Sequence, residues 1–272
     1  MGLRINTNIA AINGQRNLND VTSRLSGNFA RLSSGLRIAT SADDAAGLGI
    51  SEKMRSQIRS FAAAGRNAQD GISLTQTAEG ALNEVSNNLT RLRELAIQSS
   101  NGTLSTTDRA TINTEATALI AEIDRVSSST EFNGVNLLDG STATSSIQVG
   151  IDASQTIDVS LQNASASTLG VNAIDLSSAS GANTALGNID SAIDTLNTAR
   201  GNLGASQNRL SSAYRSIQNA RENLSAAESR IRDVDVAYET ADLTRNSILQ
   251  QASVSVLSQA NVQPQLALSL LG

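Results

Sequence analysis

The chain has 272 residues, with 20 Lys+Arg against 25 Asp+Glu and a formal net charge of −5; it contains no histidine, no cysteine and a single proline. That balance excludes nucleic acid as the main partner, since neutralising phosphates needs clustered Lys and Arg. It also excludes Cys/His nucleophiles, His general bases, common zinc sites and any disulfide framework. Aromatic residues are only 2%, which fits extended helices with thin seams better than a thick globular core. No uninterrupted apolar run approaches the ~18 residues of a membrane-spanning helix. The N-terminus lacks an apolar h-region and a cleavage site, so no secretory signal peptide is expected.

Residues 3–34 read as a helix with apolar residues on two sides. Ile5, Ile9 and Ile12 lie on one face. Leu18, Val21, Leu25, Phe29 and Leu32 lie roughly opposite, because the step from Ile12 to Leu18 breaks the 3.6-residue phase. A helix apolar on two sides is expected to be buried on two sides. Ser33-Ser34-Gly35 ends it, and Ser41-Ala42-Asp43-Asp44 has the form of a new capping box.

The next helix is predicted to run to about Ser100, with a stripe of Ile50, Met54, Ile58, Phe61, Ile72, Leu82, Val85, Leu89, Leu92 and Leu95. Asn101-Gly102 stops it. Ser105-Thr106-Thr107-Asp108 caps a shorter helix carrying Ile112, Leu119, Ile123 and Val126, and turn signals follow at Asn133-Gly134 and Asp139-Gly140. One strand pattern comes next. Ile147, Val149 and Ile151 alternate with polar or small residues, as do Ile157, Val159 and Leu161, giving a hairpin with a five-residue loop. The Ser/Ala/Asn/Gly-rich stretch 162–188 is weakly patterned and reads as an irregular connection.

From about Ile189 to Val234, Leu196, Leu203, Leu210, Ile217, Leu224 and Ile231 recur every seven residues, and three positions after each stands a mostly small residue. This heptad stripe predicts a helix about 65–70 Å long, at 1.5 Å per residue. Such a helix needs partners of matching length. Finally, Asn246–Gly272 carries no charge in 27 residues, yet its Gln, Ser and Asn make it too polar for a bilayer. The segment Ile5–Gln15 is likewise uncharged. Two charge-poor ends, apolar on more than one face, are expected to be buried by other copies of the chain. The predicted fold is mainly α: a long antiparallel helical bundle or coiled coil with one small β-hairpin near 147–161.

No catalytic, metal or cofactor-binding constellation stands out. Gly47-Leu48-Gly49 lacks the third glycine of a dinucleotide loop, with Glu52 in its place, and no strand precedes it. These glycines read as helix-packing positions. The pairs Asp43/Asp44 and Asp233/Asp235 fall at predicted helix ends, where caps and dipoles account for them. No enzyme activity and no cofactor are expected.

Several blocks resemble the bacterial flagellin family. They are Ile5-Asn6-Thr7-Asn8 with Arg31-Leu32-Ser33-Ser34-Gly35-Leu36-Arg37-Ile38, Ala42-Asp43-Asp44-Ala45-Ala46-Gly47, Thr90-Arg91-Leu92-Arg93-Glu94-Leu95-Ala96, Glu122-Ile123-Asp124-Arg125 to Phe132-Asn133-Gly134, and Gln259-Ala260-Asn261 to Leu268-Ser269-Leu270-Leu271. The resemblance covers about residues 1–140 and 187–272; the middle is too short for the variable outer domains that many members carry. It implies a subunit polymerising into the flagellar filament for swimming motility. The alternatives are a hook-associated or junction protein, or a flagellin-like cell-surface binding protein.

The resemblance further implies terminal helices 1–34 and 238–272 in the inner filament core, and a rod over 44–234. Interface residues would then be Ile5, Ile9, Ile12, Leu257 and Leu266 at the ends, with Leu196, Leu203, Leu210, Ile217, Leu224 and Ile231 in the rod. Implied partners are further copies of the chain, the flagellar export apparatus with a C-terminal chaperone, and the filament cap and hook-junction proteins. The implied location is the extracellular flagellum, reached without a signal peptide. A host innate receptor that reads this family is expected to meet Arg91, Leu95 and Glu115, a surface shared with a neighbouring subunit.

Overall fold

A computed structural model of the chain describes residues 7–269, with side-chain surroundings up to residue 262. Among the described residues are five helices and two small antiparallel strand pairs. The chain divides into two compact units. One comprises Met1–Ser56 with Asn223–Gly272, the other Gln57–Glu222. The division falls inside two long helices, not at the turns, so it differs from the expected boundaries at 34/44 and 234/238.

In the first unit, α1 (Ile9–Ser34) starts at Asn8, whose side chain accepts the Ala11 N–H, and ends at Gly35 in the left-handed conformation. Glycine suits that position because a Cβ is penalised at positive φ. The segment after α1 pairs with the end of the long C-terminal helix. Leu36 and Asp233 form an antiparallel bridge, the Arg37 N–H donates to the Arg232 carbonyl at 2.7 Å, and the Val234 N–H donates to that of Gly35 at 3.0 Å. The predicted capping box is replaced by two separate devices. Asp44 accepts the Gly47 N–H at 2.9 Å, whereas Asp43 folds back to accept from Thr40 and Ala39. Gly47 is a packing glycine, since a Cβ there would come within 2.8 Å of Ile38; Gly49 has open space around it and is not.

The second unit is built on α2 (Ala45–Ser100), α3 (Thr106–Ser129) and α4 (Ala179–Arg232). The Ser105–Asp108 capping box opens α3 as expected. Helix α4 begins ten residues earlier than the heptad stripe suggests and ends at Arg232. It runs antiparallel to α2: Arg93 is paired with Asp190, Gly71 lies against Leu210, and Gly65 against Ile217. The buried line of α2 is Ala64, Ala68, Gly71, Thr75, Ala78, Leu82, Val85, Leu89 and Leu92, spaced three and four apart as in a coiled coil. Its lower half is small residues. The large residues expected there lie off the line, with Ile50 51% exposed and Met54, Ile58, Phe61 and Ile72 half-buried. On α4, Ile189, Leu196, Leu203, Leu210 and Ile217 are buried together with Ala182, Ala185, Ala192, Ala199 and Ser206. At Leu224 and Ile231 the stripe is only half-buried.

Two elements exceed the sequence reading. Asn133 (φ 51°) and Gly134 (φ 76°) close a second hairpin, β1 (Glu131–Phe132) with β2 (Val135–Asn136), as the Asn-Gly pair favours. The expected hairpin is present as β3 (Thr144–Gln148) and β4 (Thr156–Ser160), with Ile147 opposite Ile157. Its first strand starts earlier than predicted, so Val149 and Ile151 fall in the loop. Gly71 explains how β3 approaches the helices, since a Cβ there would meet Ile147 at 3.0 Å and Leu210 at 3.2 Å.

The connection 162–178 is irregular but not loose. It buries Ala164, Ala166, Leu169, Val171 and Leu176 in the core. Side chains of α3 hold its backbone: Asp124 accepts the Ala166 N–H and Asn113 accepts the Leu176 N–H, both at 2.8 Å. The buried Ser99 hydroxyl donates to the Leu176 carbonyl. Buried backbone outside regular structure needs such partners.

Candidate assembly interface

The fifth helix, α5 (Val236–Ser269), lies antiparallel to α1. Three polar contacts fix their relation. Asn8 Nδ2 donates to the Ala260 carbonyl at 2.8 Å, Asn246 Nδ2 to Asn28 Oδ1 at 3.4 Å, and Arg31 Nε to Glu239 Oε1 at 2.8 Å. Between them Gly14 faces Leu257, whose Cδ1 would lie 3.4 Å from an added Cβ.

The residues that face inward follow the three-and-four spacing on both helices. On α1 they are Ala11, Gly14, Leu18, Val21, Leu25, Asn28 and Leu32; on α5, Glu239, Leu243, Asn246, Gln250, Ser253, Leu257 and Ala260. The inward face of α5 is thus mostly polar, with Glu239 and Asn246 buried. Its outward face is apolar: Val236, Tyr238, Ile248, Leu249, Val254, Val256 and Val262 are all exposed. On α1, Ile9, Ile12 and Phe29 are exposed too. Phe29 was expected beside Leu25 and Leu32; Asn28 occupies that seam instead, and Phe29 is 58% exposed. On α5 this burial is inverted relative to an ordinary globular helix, whereas the inward line of α1 is apolar apart from Asn28. So many large apolar residues left exposed on two helices make this pair a candidate interaction site.

The sequence-predicted interface residues therefore divide. Ile9 and Ile12 lie on the open face, while Leu257 is half-buried against α1. Ile5 lies outside the described residues, as does the side chain of Leu266. Leu196, Leu203, Leu210 and Ile217 are buried within the second unit, on the bundle side of the expected polymer and bundle interface, and Leu224 and Ile231 are half-buried. Asn28, Asn246, Arg31 and Glu239 were missed by sequence reading. The legible signal was an amide in phase with Leu18, Val21, Leu25 and Leu32.

Arg91 and Glu115 meet on the surface of the second unit at 2.8 Å, with Glu94 at 2.9 Å on the other side of the guanidinium. Its hydrogen bonds to the Glu94 and Glu115 carboxylates raise the Arg91 pKa above its ordinary value. Leu95, expected on the same surface, is only 1% exposed and lies in the core. It supports that surface from below and does not form part of it. Among the described residues no group of His, Cys, Asp and Glu could hold a metal ion, and no helix is long and apolar enough to cross a membrane.

Residues 5–143 match the family model of the bacterial flagellin N-terminal helical region, and residues 186–271 that of the bacterial flagellin C-terminal helical region. The chain belongs to the bacterial flagellin family. A flagellin from Halalkalibacterium halodurans is 47% identical over 98% of this chain and 99% of its own length. One from Bacillus subtilis is 45% identical over 99% and 100%. A flagellar filament 33 kDa core protein of Treponema phagedenis is 44% identical over 98% and 99%. These relatives are matched along their whole length, so this flagellin is of their short form.

Among solved structures, Bacillus cereus flagellin superimposes with a TM-score of 0.51 at 32% identity, over 60% of this chain and 94% of that one. A protein assigned to the flagellar hook-associated class from Vibrio parahaemolyticus gives a TM-score of 0.61 at 17% identity, over 71% of this chain and 100% of that one. The latter is a likeness of fold alone. This flagellin's fold class, mainly helical with small antiparallel strand pairs, is that of its structural neighbours.

Proposed function

We propose that this flagellin is the structural subunit of an extracellular flagellar filament, polymerising with copies of itself to serve swimming motility. The names of its close relatives support the reading: they are flagellins and flagellar filament core proteins. One structural observation carries it furthest, namely the large apolar residues that the two helices leave exposed, Ile9 and Ile12 on α1 and Ile248, Leu249, Val254 and Val256 on α5. Burying that face against neighbouring copies is favourable in proportion to the apolar area removed from water. Head-to-tail contacts that do not close generate a helical polymer.

In this reading the ends 1–34 and 238–272 form the inner core of the filament, and 44–234 the surrounding rod. The chain reaches the cell exterior through the flagellar export apparatus with the help of a C-terminal chaperone. It then meets the filament cap and the hook-junction proteins. Its relatives are structural proteins, and we assign this chain no catalytic role. Arg91 with Glu115 forms a surface patch that a neighbouring subunit and a host innate receptor both contact; the buried Leu95 acts only by holding that patch in place.

Purified protein at neutral pH should form long, regular filaments. A chain that stays monomeric but binds glycans would instead support the cell-surface reading. One that caps or joins filaments without elongating would support the hook-associated reading, which its fold likeness to the Vibrio parahaemolyticus protein also fits.

A further inference from the structure

We propose that the buried amide pair Asn28–Asn246 is a register lock that determines how the outward apolar residues of α1 and α5 stand relative to one another. The inference takes the filament reading as its setting and names the residues that position the assembling surface.

Both helices repeat their inward positions every seven residues. Sliding one by a heptad, about 10.5 Å at 1.5 Å per residue, brings seam onto seam again. The apolar seam residues do not forbid this: Leu18, Val21 and Leu25 are equally apolar partners for Leu243 or Leu257. Polar seam residues do discriminate. In the observed register Asn246 Nδ2 donates to Asn28 Oδ1, and both residues are buried, at 5% and 1% exposed. Asn28 Nδ2 is itself buried without an acceptor, so the pairing with Asn246 is the only relief its amide receives. A heptad slip would set Asn246 against Val21 and leave its amide without a partner, and a buried polar group left unpaired is costly.

The same slip would part Glu239 from Arg31 but bring Arg24, one heptad earlier, opposite it, so the ion pair does not itself discriminate the register. A single seam asparagine setting register, at some cost in stability, is a known use of the residue. Here the consequence falls outside the pair. Ile9, Ile12 and Phe29 on α1 and Ile248, Val254 and Val256 on α5 are exposed, and their relative placement along the pair follows from this register.

The absence of cysteine makes the register directly readable. An ideal Cβ on Gly14 lies 3.8 Å from Leu257 Cβ, about the mean Cβ separation of a disulfide. The Gly14→Cys/Leu257→Cys pair therefore reports the native register. The Gly14→Cys/Gln250→Cys pair reports a one-heptad slip. Both are oxidised in assembled filaments and in dissociated subunits, in the natural background and with Asn28→Leu/Asn246→Leu. In natural filaments the first pair should crosslink nearly completely and the second hardly at all. With the two leucines, the first yield should fall several-fold, the second should appear, and filaments should become sparse or irregular while helicity by circular dichroism is retained.

A single native crosslink at undiminished yield, with normal filaments, would overturn the lock. If the double-leucine chain does not assemble, Asn28→Ala is read with the same two reporters. That change removes the amide pair without adding bulk, and an unchanged crosslink there likewise overturns the proposal. Failure of the natural chain to polymerise would count against the filament reading. Normal natural filaments without the Gly14–Leu257 crosslink would instead count against this register.

Discussion

Helices α4 and α5 follow each other in the chain and obey opposite rules. Along α4 the inward line is Ile189, Leu196, Leu203, Leu210 and Ile217, interleaved with Ala192, Ala199 and Ser206. Along α5 the inward line includes Glu239, Asn246, Gln250 and Ser253, and the valines and isoleucine point outward. The first helix is satisfied by its own chain. The second is not, and it satisfies its polar side before its apolar one. The contrast separates two uses of the same heptad spacing: one stores stability within a subunit, the other leaves apolar surface exposed, which in the proposed filament is covered by the next subunit.

The comparison is tested most severely at the open face. Removing residues 246–272, or introducing Val254→Asp with Val256→Asp, should abolish polymerisation. The thermal midpoint of the second unit should not move, because neither change touches its core. Sedimentation and differential scanning calorimetry on the same samples check both halves. Filaments from the truncated chain would mean the apolar face has another role.

The complementary change lies in α4. Leu210 is fully buried, and Leu210→Ala should cost about 2–5 kcal/mol of stability. Denaturant unfolding of the monomer measures it, and an unmoved midpoint would place the stripe in solvent. At the α3 cap a smaller loss is expected. Ser105→Ala removes the acceptor for the Asp108 N–H and the hydroxyl that donates to its carboxylate, which at a helix N-terminus costs about 1 kcal/mol.

Acid should act more weakly, and in a defined direction. Hydrogen bonds from Arg232 and Arg55 hold Glu52 below its ordinary value; bonds from Thr40 and Ala39 do so for Asp43, and those from Ser105 for Asp108. Depressed carboxylates contribute stability that is fully present above their unfolded values, near 4, and lost as pH falls through the lower folded ones. Stability should therefore be flat from pH 7 to about 5 and decline below 4. Glu52→Gln should flatten that decline in urea titrations followed against pH.

The smallest effect on folding is expected at Arg91, an exposed ion-paired residue whose removal should leave the thermal midpoint nearly unchanged. Arg91→Ala should nonetheless lower filament yield and receptor signalling together, in sedimentation and cell-reporter assays. Loss of signalling with wholly normal filaments would separate the two contacts.

Much of the architecture was legible because long helices advertise themselves through period and punctuation. Gly35, Asn101-Gly102 and the Ser105–Asp108 box stand where the structure turns. What escaped had weak local signals. Ala164, Ala166 and Val171 sit in a stretch too small and polar to show a pattern, yet α3 side chains draw that stretch into the core. The lower seam of α2 was misread because alanines and Gly71 do the packing there, while larger neighbours such as Ile50 stay out. At the site, Ile9 and Ile12 were found and their open face was expected, but the amides beneath were not. Leu95 illustrates the opposite error: a motif placed it on a surface, and its own apolar phase put it inside.

The sequence by itself determined the helical class, the heptad beat of α4, the absence of histidine and thiol chemistry, and the charge-free ends. All of these follow from residue type and spacing along one chain. Only the tertiary structure decided which side of each terminal helix faces in. That choice depends on pairing energies between distant residues, Asn28 with Asn246 and Arg31 with Glu239, and such pairs have no signature in local period.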